Sequence, residues 1–164
     1  MGPTIGIPDN EKEKIASFLN ILLADEYILY TKTRNVHWNV NWPNYQELHA
    51  FFENQYEALN AIIDDIAEWI RSLGRYALGS LNDFLKVTHM EEEKHDFNDP
   101  IKIIQTLVND HEAIIHSIQN DIYPTVDKCQ DFGTTDFLNR LIKQHEKMIN
   151  MLKTFLSKLY YMDF

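Results

Sequence analysis

The 164-residue sequence has a single cysteine, Cys129, so no internal disulfide framework can form and a reducing compartment is expected. Helix breakers are also scarce. Five glycines and five prolines favour long helices over a sandwich of short strands. No apolar run approaches the roughly 20 residues needed to cross a bilayer. The opening residues, MGPTIGIPDNEKEK, lack the basic and apolar regions of a signal peptide, so a cytoplasmic location with no membrane partner is expected. Positive charge is short as well: 15 Lys and Arg against 25 Asp and Glu leave a formal charge of −10. Neutralising phosphates requires clustered basic residues, so DNA binding is not expected. The carboxylate surplus suits attraction of hard cations and equally suits plain solubility.

What is present is helical periodicity. The length fits one domain with a real core. An irregular arm over 1–8, with Gly2, Pro3, Gly6 and Pro8, precedes a domain over 9–164. Asp9 or Asn10 is the expected cap of a first helix, in which Ile15, Phe18, Leu19, Leu22 and Leu23 recur at helical spacing to about Trp38. A short NVNWPN loop follows. Asn44 and Glu47 then have the spacing of a capping box for a second helix, which Gly74 ends. A short helix over Ser80 to Lys86 and a solvated loop, MEEEKHDFND, lead to Asp99-Pro100, a helix start signal. The third helix should end before Pro124, a polar connection TVDKCQDFGTT should follow, and the fourth helix should begin near Thr135. The expected architecture is an all-α bundle of four main helices, with its long connection between helices two and three.

The second helix carries an unusual polar stripe. At about 100° per residue, with His49 at zero, Glu53 falls near 40°, Asp64 near 60° and Glu68 near 100°. Phe51, Phe52, Leu59, Ile62, Ile63, Ile66, Trp69 and Ile70 occupy the opposite arc, between roughly 200° and 320°. His49 and Asp64 are about 22 Å apart along the axis, too far to share an ion on one helix. Yet His49 and Glu68, and likewise Glu53 and Asp64, are symmetric about the point between Ala58 and Leu59. An antiparallel copy across a twofold axis there would bring His49 to the other chain's Glu68 and Glu53 to its Asp64, giving two identical metal sites between subunits. The alternative is an ordinary wet face of an amphipathic helix.

Other constellations fail on spacing. His111-Glu112-Ala113-Ile114-Ile115-His116 is one residue too long for the H-E-x-x-H zinc helix, so its histidines point about 140° apart. His111, His116 and His145 read as core-edge or surface residues, and His89 and His95 as loop residues. An in-bundle di-iron centre needs a Glu-x-x-His motif on each of two helices, and only Glu92 to His95 offers one, in a loop-like run. An intersubunit site of imidazoles and carboxylates suits iron, manganese or zinc. His37, folded back by the short loop, is placed to supply a second imidazole.

The segment TRNVHWNVNWPNYQELHAFFENQYEALNAIIDDIAEWIRSLG closely resembles the ferroxidase signature of the Dps family, the DNA-binding proteins from starved cells, or miniferritins. The closing segment LIKQHEKMINMLKTFL is similar to that family's last helix. The resemblance implies a ferritin-like four-helix bundle with a short extra helix in the connection between helices two and three. It implies a homododecameric shell that oxidises Fe(II), preferentially with hydrogen peroxide, and stores the ferric mineral, protecting against oxidative stress. Position by position it makes His37 and His49 of one subunit, with Asp64 and Glu68 of its twofold mate, the iron ligands. The Fe(II)/Fe(III) centre would be dinuclear or partly occupied. Glu53 stands where the family has an aspartate and is the candidate for the weaker second iron position. Asp127, Asp131 and Asp136 become candidates for acidic pores at the threefold axes, with helix capping and loop solvation as the alternative. The sequence departs from the family at Asn150, where a tryptophan is common, at Trp42, where a small residue is usual, and in lacking a Lys-rich DNA-binding arm. A DNA-compacting protein of the same fold, or a redox-inactive cage binding another divalent metal, are the alternative readings.

Overall fold

The computed structural model describes residues 6–161, so positions 1–5 of the expected arm and 162–164 of the expected domain lie outside the described residues. Helices are the only regular structure among them: α1 (Asp9–Asn39), α2 (Tyr45–Ser72), α3 (Leu81–Val87), α4 (Pro100–Ser117), a single wide π turn (Ile118–Ile122), α5 (Tyr123–Lys128) and α6 (Phe132–Tyr160). α1 and α2 form one pair, joined by five residues, and α4 and α6 form the other. α1 also packs on α4, and α3 lies against α1. The result is a ferritin-like bundle whose core is built from Leu19, Leu22, Leu23, Leu29, Phe52, Leu59, Ile66, Ile104, Leu107, Ile114, Leu138, Leu141 and Leu152, all fully buried.

Most helix boundaries follow from local chemistry. Asp99 caps α4 by accepting from Lys102 N–H at 3.0 Å, with Pro100 in the first turn, and Ser80 caps α3 through Asp83 N–H. Gly74, at φ +78°, ends α2. Its N–H donates to the Arg71 carbonyl, and Arg75 N–H donates to Ile70, the paired bonds of a Schellman motif.

Four expectations are corrected. Neither Asp9 nor Asn10 caps α1; Pro8 stands at the cap, and no side chain accepts there. Asn44 precedes α2 but is left-handed at φ +65°, and its side chain does not cap, so no capping box forms. Pro124 does not end the third helix. It lacks an N–H, and its ring would strike the Asn120 carbonyl in a regular α-helix. The turn widens instead, Tyr123 N–H donating to Ile118, and the helix runs on to Lys128. The polar connection is therefore half helical, and α6 starts at Phe132 because Asp131 caps it, accepting from Thr134 N–H at 3.0 Å.

The segment after α3 is tied across the bundle by two buried charges on α1. Asp25 accepts from Thr88 Oγ1 at 2.6 Å and from His89 N–H at 2.7 Å. Lys32 donates to the Glu91 carbonyl at 3.0 Å and pairs with Asp110 at 2.6 Å. Burial pushes both carboxyls above the usual range, although Thr88 and Lys32 pull the other way.

Candidate metal centre

His37 lies in the last turn of α1, and His49 begins the second turn of α2. The five-residue connection folds them onto each other, with ring centroids 3.7 Å apart and planes 26° apart. Each imidazole donates from Nδ1 to the other's backbone: His37 to the His49 carbonyl at 2.8 Å, and His49 to the His37 carbonyl at 3.1 Å. A carbonyl can only accept, so both Nδ1 atoms carry the proton. Both Nε2 lone pairs are then left free on neighbouring rings, the tautomer a metal-ligating histidine needs. Tyr45 stacks on His49 at 5.2 Å, and Tyr56 meets His37 edge-on at 5.1 Å.

Trp42 explains how so short a connection stays in place. Its ring is buried against the edge of Phe52, and Nε1–H donates to the Phe97 carbonyl at 2.6 Å, anchoring the loop to the segment that leads into α4. A small residue here would leave that carbonyl and that space unfilled. Trp38 projects outward, 62% exposed, with the Arg34 guanidinium 4.8 Å from its ring centroid.

The acidic half of the set does not reach the histidines within one chain. Glu53 is half-buried one turn beyond His49. Asp64 and Glu68 are exposed on the same face, about 22 and 28 Å from His49 along the helix axis. Among the described residues none of the three makes a side-chain hydrogen bond or ion pair, and no three His, Cys, Asp or Glu gather as a metal site. The chain thus brings His37 and His49 together and presents Glu53, Asp64 and Glu68 as unpartnered carboxylates on an open helix face.

Near Glu68, the next residue, Trp69, is tied to α6. Its Nε1–H donates to Thr134 Oγ1 at 3.0 Å, and Thr134 Oγ1–H donates in turn to Asp131 Oδ2 at 2.5 Å. The indole also stacks on Phe137 at 5.1 Å, with planes 6° apart. Of the three pore candidates, Asp131 is therefore buried and committed to the start of α6, whereas Asp127 and Asp136 are exposed, the latter 3.5 Å from Arg140. Cys129 lies nearby. Burial, with Glu11 adding to it, pushes its thiol up, which keeps it protonated and unreactive.

A second ionisable cluster corrects the expectation for two histidines. His111 and His145 are fully buried, not at the core edge. His145 Nε2 lies 2.6 Å from Glu26 Oε1, and its Nδ1 lies 2.8 Å from His111 Nδ1, a hydrogen-bonded line across α1, α6 and α4. Burial, then the neighbouring His145, holds His111 well below the ordinary imidazole range, so it stays neutral. Glu26 Oε2 has no partner among the described residues. The two facing Nδ1 atoms are too close to hold one ion between them, and this line is a hydrogen-bonded strut of the bundle. His116 and His89 are exposed, and His95 is half-buried, as expected for a surface face and a loop.

The chain matches the ferritin-like domain family over residues 16–162. An uncharacterized low temperature-induced protein of Nostoc sp. is 38% identical over 153 residues, 93% of this chain and 86% of that one. The DNA protection during starvation protein of Brevibacillus brevis is 30% identical, covering 89% of this chain and 97% of the relative. Among solved structures, the Dps protein of Vibrio cholerae O1, described as belonging to a broad superfamily of ferritin-like diiron-carboxylate proteins, superposes with a TM-score of 0.86. Its identity is 32%, over 94% of this chain and 96% of that one. With the paired histidines at the α1–α2 junction and the bundle order set out above, these likenesses place the chain in the Dps family of ferritin-like proteins.

Proposed function

We propose that the protein is a ferroxidase and iron store, with Fe(II) as substrate, hydrogen peroxide as preferred oxidant and a homododecamer as the working form. The observation that carries this reading is the clasp of His37 and His49, in which each backbone carbonyl fixes the other ring with its Nε2 free. An antiparallel pairing of α2 with its copy, centred between Ala58 and Leu59, brings Asp64 and Glu68 of one subunit to the imidazoles of the other. The exposed carboxylates and the small side chains of Ala58 and Ala61 on the open side of α2 support that approach.

The donor set explains the direction of the chemistry. Two carboxylates stabilise Fe(III) more than Fe(II), which lowers the cost of removing the electron. Two neutral imidazoles add no charge and leave positions open to the oxidant. Two Fe(II), one hydrogen peroxide and two protons give two Fe(III) and two waters, so no partly reduced oxygen species is released. Glu53 serves the second, weaker iron position. Exposed Asp127 and Asp136 are the side chains available to draw Fe(II) through an acidic pore, while Asp131 acts structurally.

Replacing His37 and His49 together by Gly should abolish rapid peroxide-dependent Fe(II) oxidation, measured by ferric absorbance, while leaving an assembly of about 230 kDa, twelve copies of a 19.4 kDa chain. Unchanged kinetics in that variant would sink the assignment. A wild-type mass of one or two chains in light scattering would remove the storage cavity.

A further inference from the structure

We propose that Trp69 is a positioning residue for the iron-binding carboxylates of α2, latched by Thr134 and Asp131 so that Glu68 and Asp64 keep a fixed azimuth. This rests on the ferroxidase reading and deepens it.

On α2 the buried Ile66 lies at the middle of the core-facing arc, with Ile62 and Ile70 about 40° to either side, and Trp69 lies at the edge nearest Glu68. Contacts at the centre of an arc hold a helix down but resist its rolling weakly. A contact at the edge has the leverage. Trp69 is built as such a contact. Its ring is sandwiched against Phe137, a Cβ added at Gly133 would sit 3.5 Å from it, and its one polar atom is hydrogen-bonded to the fully buried Thr134. Thr134 cannot turn away, because its hydroxyl and its N–H are both engaged by the carboxylate of Asp131, itself 7% exposed. Asp131 serves two ends at once, capping α6 and terminating the chain of donors from α2.

Leverage matters because the carboxylates sit at the rim of the helix. At a radius of about 6 Å, a roll of 10° moves a carboxylate by about 1 Å. Metal–ligand distances hold to within about 0.2 Å. Neither Glu68 nor Asp64 has a hydrogen-bond partner among the described residues to steady it, so their aim depends on the backbone that carries them.

The test is anaerobic Fe(II) titration by calorimetry on the assembled protein, with thermal melts alongside, for wild type, Trp69→Phe, Thr134→Val and Thr134→Ser. Trp69→Phe keeps the stack on Phe137 and deletes the N–H. It should weaken Fe(II) binding about tenfold, the scale of outer-shell effects on metal sites, with little change in melting temperature. Thr134→Val should match it, Thr134→Ser should retain wild-type affinity, and combining Trp69→Phe with Thr134→Val should add nothing further, since both cut one link. Wild-type affinity in both Trp69→Phe and Thr134→Val, or a loss that merely tracks melting temperature, overturns the latch. A wild-type protein that binds no Fe(II) overturns the ferroxidase reading and the latch with it.

Discussion

His111 should make this bundle lose stability in mild acid, and its size can be worked out. In the folded chain His111 is neutral, its pKa held well below 6.5 by burial and by His145. In the unfolded chain it titrates at the ordinary value near 6.5. Below that pH the unfolded state binds one proton more than the folded state, so stability is fully present above pH 6.5 and declines as pH falls. The slope is about 1.4 kcal/mol per pH unit per chain for as long as folded His111 stays neutral. Asp25 and Asp110 run in the opposite sense. Their folded pKa values are raised, so they take up protons on the folded chain first and offset part of the loss further into the acid range. The cleanest measurement is therefore a difference. His111→Gln fills similar space and can still donate an amide hydrogen to His145, but it does not titrate. Urea unfolding of wild type and His111→Gln at several pH values from 7.5 downwards should show the wild type losing its advantage below pH 6.5 at about that slope, one proton per chain. Parallel curves would mean that His111 is not the group exchanging the proton, and the neutral assignment would fall.

Other outcomes follow from buried partners. Lys32→Met should destabilise by roughly 3–5 kcal/mol in chemical denaturation, because it leaves the mostly buried Asp110 carboxylate without its counter-ion, and Asp110→Asn should cost less. Trp42→Phe should cost about 1–3 kcal/mol by orphaning the Phe97 carbonyl, and should slow Fe(II) oxidation as the α1–α2 connection loosens. Asp131→Ala should lower the melting temperature through the lost cap, about 0.5–2 kcal/mol, whereas Asp136→Asn should leave stability unchanged and slow only iron uptake. A gel-shift at low salt should show no retardation of duplex DNA, given a charge of −10.

The fold was largely legible because its helices announce themselves through period and punctuation: Gly74, Ser80 and Asp99-Pro100 mark ends that the structure keeps. It failed at Pro124, where a local rule about proline met a helix able to widen by one residue rather than stop. Asn44 failed for the reverse reason. The residue type suited a cap, but the turn into α2 needed a left-handed residue more. At the site, helix geometry placed His49, Glu53, Asp64 and Glu68 on one face. That His37 and His49 exchange hydrogen bonds through their backbones has no sequence signal, since it depends on how a five-residue connection closes. The buried line from Glu26 to His111 was hidden for a different reason. Its members are 34 to 119 residues apart on three helices, although i, i+4 apolar neighbours around His111 and His145 did hint that both face inward. The role of Trp42 has no local signal either, because its acceptor, the Phe97 carbonyl, lies 55 residues away.

The clasp between His37 and His49 divides labour between folding and assembly. Each newly folded chain carries finished imidazoles but lacks the carboxylates to complete them, so on the proposed dyad a lone subunit is redox-silent. In the proposed assembly, activity would appear only when two chains meet, and it would then face a cavity that only the full shell encloses. Quaternary structure would then be a safety interlock: on the proposed function, ferrous iron and peroxide would be brought together only where the ferric product has somewhere to go.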